Sequence, residues 1–422
     1  MRRSYPDRRA GGSSGSGALK RRVFLERALG VAVAAPVLRS VGSLQAGEPE
    51  RAAAGARRIK LGVVGCGGRG AWIAKLFQNH GGYVLWAVAD YFATVSDSAG
   101  TALGVDPSRR FSGLGGCRRL LESGVEAVAL ETPPYWFPDY ASASVDAGKH
   151  VYMAKPVAVD VPGCRRIEAA AGRAAAARRC FFVDYQMPTD PHNIEVMRRL
   201  GAGQIGPVQT VNSHYYAGQF ADPPKTSTIE SRLRSLIWCN DVAVGGGYHV
   251  NACIHAVDAA LWVAGARPVS ATGFSRLGRP DPHGDSHDVF SLLFEFGDGL
   301  IVSHRGKHLN NGTDFDVSVE VQGQAGHARL GYGGKASLRS GDDGYTGEVQ
   351  NLYEAGAVRN IAAFHRLVLA GDCSNTTVAR SLDGALTTIL GREAGLRRAR
   401  LTLEELVREN RRLEVDLRGL KE

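Results

Sequence analysis

The chain has 422 residues, and 44% of them are hydrophobic, which is enough for two ordinary domains with a core each. Its formal net charge is +9, but residues 1–46 hold nine basic and two acidic residues, so the remainder carries only about +2. This balance excludes a nucleic-acid-binding protein that depends on a basic surface. The seven cysteines include no CxxC pair, so we predict neither a disulfide framework nor a metal site.

The amino terminus has the pattern of an export signal. Residues 20–25, KRRVFL, are similar to the twin-arginine motif, and a short apolar run and a small-residue region follow at residues 28–38 and 43–46. We therefore predict a signal peptide over residues 1–46, a leader over 47–57, and a periplasmic or secreted protein without a membrane span in its mature part. The alternative is a basic tail followed by a short helix.

A dinucleotide-binding turn is predicted next. The stretch GVVGCGGRG places Gly65, Gly67 and Gly70 between a β-branched strand and a helix over residues 69–78. A second apolar run ends at Asp90, twenty residues after Gly70, where a carboxylate would bind the adenosine ribose. Because residues 91–93 carry no basic group for a 2′-phosphate, the pattern favours NAD over NADP. The alternative is a glycine-rich turn in another α/β fold.

Strands and helices continue to alternate, which predicts a doubly wound parallel sheet. Strands are expected over residues 125–134 and 149–156, with a helix over 137–148 between them. Ligands of such sheets bind beyond the carboxyl ends of the strands. The predicted cofactor contacts are Gly65, Gly67, Gly68, Arg69, Gly70, Asp90, Thr132, Pro133, Lys155 and Pro156.

Four motifs together resemble the Gfo/Idh/MocA oxidoreductases: GVVGCGGRG, ETPPYWFP, GKHVYMAKPVAVDVPG and GGGYHVNACIHAVDAALWVAG. The resemblance covers roughly residues 58–400. It implies a Rossmann domain, placed at residues 58–180, and an α/β domain with an open, mostly antiparallel sheet for substrate and oligomer contacts, placed at 181–375. Helices are expected over 376–422. The family mostly oxidises or reduces sugars and polyols with NAD(P), and the resemblance implies a homo-oligomer, a dimer or a tetramer.

Two carboxylates of the family pattern are replaced here. The usual Glu-Lys-Pro reads Ala154, Lys155 and Pro156, and the usual Asp four residues before a helical His reads Asn251 before His255. The lysine and the histidine are kept, so the resemblance puts the fold beyond question and leaves the handling of protons open.

The predicted catalytic residues are Lys155, His255 and Asn251. Asn251 and His255 are four apart, which would place them on one face of a helix beginning near residues 245–247. Burial and a nicotinamide cation would lower the pKa of Lys155. We expect His255 to accept the proton of a substrate hydroxyl while Lys155 polarises its oxygen, or the two roles to be exchanged. Candidate substrate contacts are Tyr185, Gln186, His214, Trp238 and His249.

The leading functional prediction is an exported NAD(P)-dependent oxidoreductase that acts on a sugar, polyol or sugar derivative. Free NAD is scarce outside the cytoplasm, so the cofactor should be tightly bound and recycled within each catalytic cycle. One alternative is an NAD-dependent glycoside hydrolase that works by transient oxidation and elimination. Another is a nucleotide-binding and carbohydrate-binding protein with little or no catalysis.

Overall fold

The computed structural model describes residues 51, 52, 55 and 57–422. The predicted signal peptide therefore lies outside the described residues. The described residues form part of one compact unit. In this part of the chain, no helix combines the length and the apolar character needed to cross a bilayer.

The first sheet is six-stranded and parallel, in the order β3-β2-β1-β4-β5-β6. Its strands are β1 (Ile59–Val64), β2 (Tyr83–Asp90), β3 (Arg110–Ser112), β4 (Ala127–Leu130), β5 (His150–Ala154) and β6 (Phe181–Asp184). The strands are largely apolar because helices cover both faces of the sheet. The strand order reverses between β1 and β4, which creates a crevice at their carboxyl ends.

The helices of this half are α1 (Gly68–His80), α2 (Ala93–Leu103), α3 (Gly116–Glu122), α4 (Phe137–Asp146) and α5 (Val161–Ala176). Helix α1 follows the glycine turn directly, as the sequence predicts. Helix α5 begins where the Asp160 side chain accepts a hydrogen bond from the backbone N–H of Gly163, at 2.7 Å. These local signals fix the starts of helices that pack on the sheet.

The second sheet has nine strands in the order β14-β13-β12-β11-β7-β10-β9-β8-β15. Its strands are β7 (Val208–Ala217), β8 (Ser270–Arg276), β9 (Val289–Glu295), β10 (Ile301–His308), β11 (Asp316–Gly323), β12 (His327–Gly331), β13 (Gly334–Ser340), β14 (Asp343–Val349) and β15 (Leu401–Thr402). All neighbouring pairs with a described register are antiparallel except β7 and β10. The predicted fold class, a Rossmann sheet followed by an open and mostly antiparallel sheet, is confirmed.

The remaining helices connect the two sheets. They are α6 (Pro191–Gly201), α7 (Val242–Gly245), α8 (Gly247–Asn251), α9 (Ile254–Ala264), α10 (Leu352–Ala370), α11 (Thr376–Arg397) and α12 (Leu403–Glu409). Helix α10 packs on the first sheet, where the Tyr83 hydroxyl donates to the carbonyl of Ile361 at 2.9 Å. Helix α11 contacts both sheets, and the N–H of Val183 donates to Thr377 Oγ1 at 3.0 Å.

The carboxyl terminus differs from the prediction of helices over residues 376–422. The two-residue strand β15 separates α11 from α12, and α12 ends at Glu409 because Asn410 has a positive φ of 45°. The last residues form an extended tail instead. Its Leu413 N–H donates to Asp160 Oδ2 at 2.8 Å, and the carbonyl of Lys421 accepts from the N–H of Leu114 at 2.9 Å. In addition, β6 extends the first sheet past the predicted boundary at residue 180.

Candidate active site

A cavity of about 860 Å³ opens at the carboxyl ends of the first sheet and is also lined by the second half of the chain. This size suits a cofactor and a small substrate. Thirteen predicted residues line it: Gly65, Gly67, Gly68, Arg69, Gly70, Asp90, Thr132, Pro133, Lys155, Gln186, Trp238, Asn251 and His255. The structure therefore brings the predicted nucleotide-binding and catalytic groups into one space.

The glycine turn has the shape that a pyrophosphate requires. Gly65 has a φ of +90°, and a Cβ there would lie 2.7 Å from the backbone of Glu131. A Cβ on Gly70 would lie 1.8 Å from the carbonyl oxygen of Gly65, so only glycine allows this approach of helix to strand. A Cβ on Gly67 or Gly68 would meet no atom within 4 Å. Helix α1 begins here without a side-chain cap, which leaves its first N–H groups for phosphate oxygens.

Asp90 ends β2 beside this turn. Its Oδ2 accepts a hydrogen bond from the N–H of Cys66 at 2.8 Å, and its Oδ1 accepts from the N–H of Phe92 at 2.9 Å. Burial raises the pKa of Asp90, and the two backbone N–H donors and the charge of Arg234 oppose that shift. Arg234 comes from the long connection after β7, and its guanidinium lies 3.7 Å from the ring centre of Phe92. A basic group therefore faces the predicted ribose position, although none follows Asp90 in the sequence.

Lys155 follows β5, and its Nζ donates to the backbone carbonyl of Asn251 at 2.8 Å. Burial, with a smaller contribution from the nearby positive charge of Arg69, lowers the pKa of Lys155 to about 8. The lysine can therefore exchange a proton near neutral pH.

His255 lies in a cage of aromatic rings. The ring of Tyr332 is 5.2 Å away, that of Tyr215 is 6.2 Å away and nearly parallel, and that of Tyr185 is 6.4 Å away. Burial, followed by the charges of Lys155 and Arg69, holds the pKa of His255 well below its ordinary value. Its Nδ1 has no hydrogen-bond partner among the described residues. The imidazole is therefore neutral, and its Nδ1 is buried.

A buried cluster of charges lies behind Lys155. Arg69 Nε donates to Glu131 Oε2 at 3.0 Å, and its Nη2 makes a short contact with Asp184. Both carboxylate side chains are fully buried, while the Arg69 side chain keeps 22% exposure. Burial raises the pKa of Glu131 to about 7, and the charge of Arg69 opposes that shift. Gln186 Nε2 donates to Asp184 Oδ2 at 3.0 Å, which joins the cluster to the substrate side.

Comparison with known proteins identifies the family. Residues 59–183 match the model of the GFO/IDH/MocA oxidoreductase family with an NAD-binding Rossmann fold, and residues 194–329 match the model of the GFO/IDH/MocA C-terminal domain. The chain belongs to the GFO/IDH/MocA family of oxidoreductases. The predictions of this family and of an NAD-binding oxidoreductase are confirmed.

Individual proteins similar to this chain support the same family assignment. Inositol 2-dehydrogenase 2 of Saccharopolyspora erythraea is 29% identical over 278 residues, which cover 64% of this chain and 73% of that protein. An inositol dehydrogenase homologue from Azotobacter vinelandii in complex with NAD+ has a TM-score of 0.69 at 17% identity, over 84% of this chain and 99% of that one. Aldose-aldose oxidoreductase from Caulobacter crescentus, with glycerol bound, has a TM-score of 0.65 at 20% identity, over 82% and 100%. At 17% and 20% identity, these two structures show that this chain has the same fold as they do.

The helix predicted to carry Asn251 and His255 is interrupted in this oxidoreductase. Asn251 is the last residue of α8, and His255 is the second residue of α9. The break lies at Ala252 and Cys253, where the backbone makes a turn between the two helices. Asn251 consequently presents its backbone carbonyl to Lys155, and the prediction of one continuous helix face is wrong.

Four predicted contacts do not line the cavity. Pro156 is buried beyond the strand end, and Tyr185 packs behind His255 in the core. His214 bonds Asp316 Oδ2 through Nε2 at 2.7 Å and stacks on Tyr216. His249 is fully buried and stacks on Phe290. In each case a sheet or core contact determines where the side chain points.

Sequence reasoning missed Glu131, Asp184 and Arg234. Glu131 follows β4 directly and Asp184 ends β6, on either side of β5, so acidic residues at the carboxyl ends of parallel strands were the signal that could have located the first two. No local pattern indicates Arg234, because it approaches Asp90 from a connection in the second half.

Proposed function

We propose that the chain oxidises or reduces a CH–OH group of a sugar, polyol or sugar derivative with NAD. The observation that carries the proposal is the meeting of Lys155, Asn251 and His255 in one cavity with the glycine turn. Aromatic rings and the amide of Gln186 complete its wall, as suits a polyhydroxylated ligand. The inositol dehydrogenases and the aldose-aldose oxidoreductase among the relatives support this substrate class.

Lys155 is proposed as the group that accepts the hydroxyl proton. Bound NAD+ supplies the hydride acceptor, and the chain supplies orientation and proton transfer. A pKa of about 8 gives Lys155 both protonation states near neutral pH, which is the condition for efficient general acid–base catalysis. The hydrogen bond to the Asn251 carbonyl fixes its amine at the cavity wall. Of the two assignments left open by the sequence, the structure supports this one.

His255 is then proposed to orient the substrate as a neutral hydrogen-bonding partner. The cage of tyrosine rings holds its plane, and the residue lines the cavity, where an imidazole nitrogen can bond one hydroxyl group. A positive imidazole would be opposed by burial and by two neighbouring cations. The amide of Asn251 can bond a hydroxyl but cannot carry a proton as the family's carboxylate would.

Glu131 is proposed to compensate for the carboxylate that is absent at Ala154. It is buried near Lys155, whose charge acts on it. Because Glu131 is also bound by Arg69, it stabilises the local positive charge without becoming a second independent base. It is thus a positioning residue for the lysine.

The pH dependence tests the assignment to Lys155. We expect kcat/KM for oxidation to rise with pH and to level off above about 8, because only the neutral amine accepts a proton and its pKa is about 8. Initial rates measured from pH 6 to 10 report this. A rate that falls as pH rises through 8 would show instead that Lys155 acts as a cation. The residual rate of Lys155→Met should lack the inflection.

Turnover across a panel of sugars and polyols tests the function itself. NADH formation should appear with at least one polyol or aldose, and product analysis should show a ketone or lactone. Release of a free sugar and its aglycone, without net change of NAD, would establish the glycoside hydrolase instead. Tight NAD binding with no turnover on any member would favour the binding protein.

NAD is proposed over NADP because the Asp90 carboxylate faces the ribose position and would repel a 2′-phosphate. Among the described residues, Arg234 is the cation whose charge acts on Asp90 and could offset this repulsion. Calorimetric titration should show tighter binding of NAD, and Arg234→Ala should leave that preference in place. Tighter binding of NADP, lost in Arg234→Ala, would reverse the assignment.

Export through the twin-arginine route to the periplasm or the exterior is proposed from residues 20–46, together with a retained cofactor. Retention is supported by two segments near the adenosine end. Residues 233–236 line the cavity, and Arg234 covers Phe92. The carboxyl-terminal tail bonds Leu114, a cavity residue, and the N–H of Lys421 donates to the Tyr91 hydroxyl at 3.2 Å. Fusion of residues 1–46 to a reporter, with export lost in Arg21→Lys/Arg22→Lys, tests the route.

Removing the tail should accelerate cofactor loss. A chain ending at residue 410 lacks the contacts to Leu114 and Tyr91, so we expect bound NAD to dissociate at least tenfold faster, as measured by displacement with a fluorescent nucleotide. Arg418→Ala is the control, since its side chain pairs with Asp416 at the exposed surface. An unchanged dissociation rate would show that the tail does not help to retain NAD.

A homo-oligomer, dimer or tetramer, is proposed through the open face of the second sheet. Phe274, Leu293 and Ile301 stand on neighbouring strands β8, β9 and β10 with 64%, 44% and 47% exposure. Contiguous apolar surface of this kind marks protein contacts. Light scattering should give a dimer or tetramer, and Leu293→Glu should shift it toward the monomer; a monomeric wild-type chain would contradict the proposal.

A further inference from the structure

Three potential metal ligands meet beneath the second sheet, away from the residues that line the cavity. His249 lies on α8, Cys253 lies at the start of α9, and His304 lies on β10. All three are buried, and one ligand atom from each lies within 4.8 Å of the others. The cluster joins the helical segment that carries the proposed active site to a central strand of the sheet.

The histidines in this cluster have unsatisfied ring nitrogens. Neither Nδ1 nor Nε2 of His249 has a hydrogen-bond partner among the described residues, and the same holds for Nε2 of His304. A neutral imidazole always carries one N–H donor, and a buried donor without a partner destabilises the folded state. His249 lacks a partner for its donor whichever nitrogen carries the proton, and the neighbouring His304, with 5.2 Å between ring centres, has an Nε2 without a partner among the described residues. Together they indicate that something besides the protein completes the site.

His304 has the outer contact that metal-bound histidines usually have. Its Nδ1 lies 2.9 Å from Ser213 Oγ on the adjacent strand β7. Donation from Nδ1 to this hydroxyl would place the lone pair on Nε2, which has no partner among the described residues. The ring of His249 is held in turn by stacking on Phe290, with 4.8 Å between ring centres.

Two glycines leave room around the ligands. A Cβ on Gly391 of α11 would lie 2.7 Å from His249 Nε2, and a Cβ on Gly306 of β10 would lie 2.7 Å from Cys253 Sγ. Any larger residue would therefore press on a ligand atom. The packing is built to keep these polar atoms close together inside an apolar core, where unpaired polar groups are otherwise rare.

We propose that His249, Cys253 and His304 bind one transition-metal ion of the soft to borderline class, Zn²⁺ or Cu⁺. Two imidazoles and one thiolate suit these ions and do not suit Mg²⁺ or Ca²⁺, which take oxygen ligands. On binding, the Cys253 thiol releases its proton to solvent and its sulfur forms the bond to the metal. The assignment of these ligands does not rest on the proposed function.

The ion has a structural role that its position defines. Asn251 lies between His249 and Cys253 in sequence, and His255 lies two residues after Cys253. The ion links Cys253, in the turn between α8 and α9, to His304 on β10, and so fixes that turn. This in turn fixes the backbone carbonyl of Asn251, which accepts the hydrogen bond from Lys155. The ion therefore positions the active site without touching the substrate.

Elemental analysis of the full chain tests the proposal. After treatment with a chelator, the protein is dialysed against Zn²⁺ or, anaerobically, Cu⁺, and bound metal is measured by plasma mass spectrometry. We expect one ion per chain for at least one of the two metals, together with a higher Tm. Substitution by Co²⁺ should give the charge-transfer absorption of a cobalt–thiolate bond. Less than a tenth of an ion per chain with both metals would overturn the proposal.

Variants locate the ion. Cys253→Ala and His304→Phe should each lower metal affinity at least tenfold and abolish the cobalt–thiolate band, whereas Cys164→Ala, which removes another buried thiol, should retain both. Equal metal content in Cys253→Ala and the wild type would overturn the assignment. If a variant does not fold, the cobalt spectrum of the wild type still decides, because absence of the thiolate band contradicts ligation by Cys253.

Discussion

Lys155→Met is expected to lower kcat for substrate oxidation by about a thousandfold, within the range that general acid–base groups contribute. Methionine has a similar length and no proton to exchange. The affinity for NAD should change little, because the substitution leaves intact the glycine turn and Asp90, which are proposed to bind the pyrophosphate and the adenosine ribose. Stopped-flow measurement of the first turnover separates the chemical step from cofactor binding.

The matched control is Lys75→Met on the exposed side of α1, where the lysine Nζ donates to Gln78 Oε1 at 2.7 Å. It should leave kcat unchanged. A Lys155→Met rate within tenfold of the wild type would show that another group accepts the proton. His255 would then be the first residue to test by the same measurement.

Arg69→Met is expected to lower the free energy of unfolding by about 3 kcal/mol, because it leaves the buried carboxylates of Glu131 and Asp184 without their cation. Urea denaturation at pH 7.5 measures the loss. Burial already raises the pKa of Glu131 to about 7 with Arg69 present, and removing the cation raises it further. Below pH 7 Glu131 is protonated in both folded proteins, so its share of the loss should be largest at high pH and should shrink as pH falls through about 7.

An exposed ion pair provides the control for this prediction. Arg173 Nε lies 3.0 Å from Asp146 Oδ1, with about half of each side chain exposed, so Arg173→Met should cost less than about 1 kcal/mol. Adding Glu131→Gln to Arg69→Met should recover part of the stability. A loss for Arg69→Met no greater than that of the control would show that the cluster is well solvated.

The sequence was sufficient for the parts of the site that are local in the chain. The strand, the glycine turn, helix α1 and Asp90 occupy one continuous stretch, and steric demands on Gly65 and Gly70 leave a readable pattern. Lys155 was found in the same way, at a strand end. The fold class followed from the alternation of elements and from the family resemblance.

What the sequence did not reveal depends on long-range packing. Arg69 meets Glu131 and Asp184, which lie 62 and 115 residues away, and only the order of strands brings them together. The break between α8 and α9 falls in an apolar stretch with no proline, so the helical period appears continuous there. His249 and His214 carry polar atoms, but the second sheet turns them away from the cavity.

The central claim is that this cavity holds NAD and transfers hydride between it and a carbohydrate. The most direct measurement is to purify the protein from its native location, identify any nucleotide released on denaturation, and follow the absorbance of the bound nucleotide when single sugars and polyols are added. We expect close to one NAD or NADH per chain, whose redox state changes within one turnover for at least one compound and does not change in Lys155→Met. A protein that holds no nucleotide, or whose nucleotide keeps its redox state with every compound, would contradict the account.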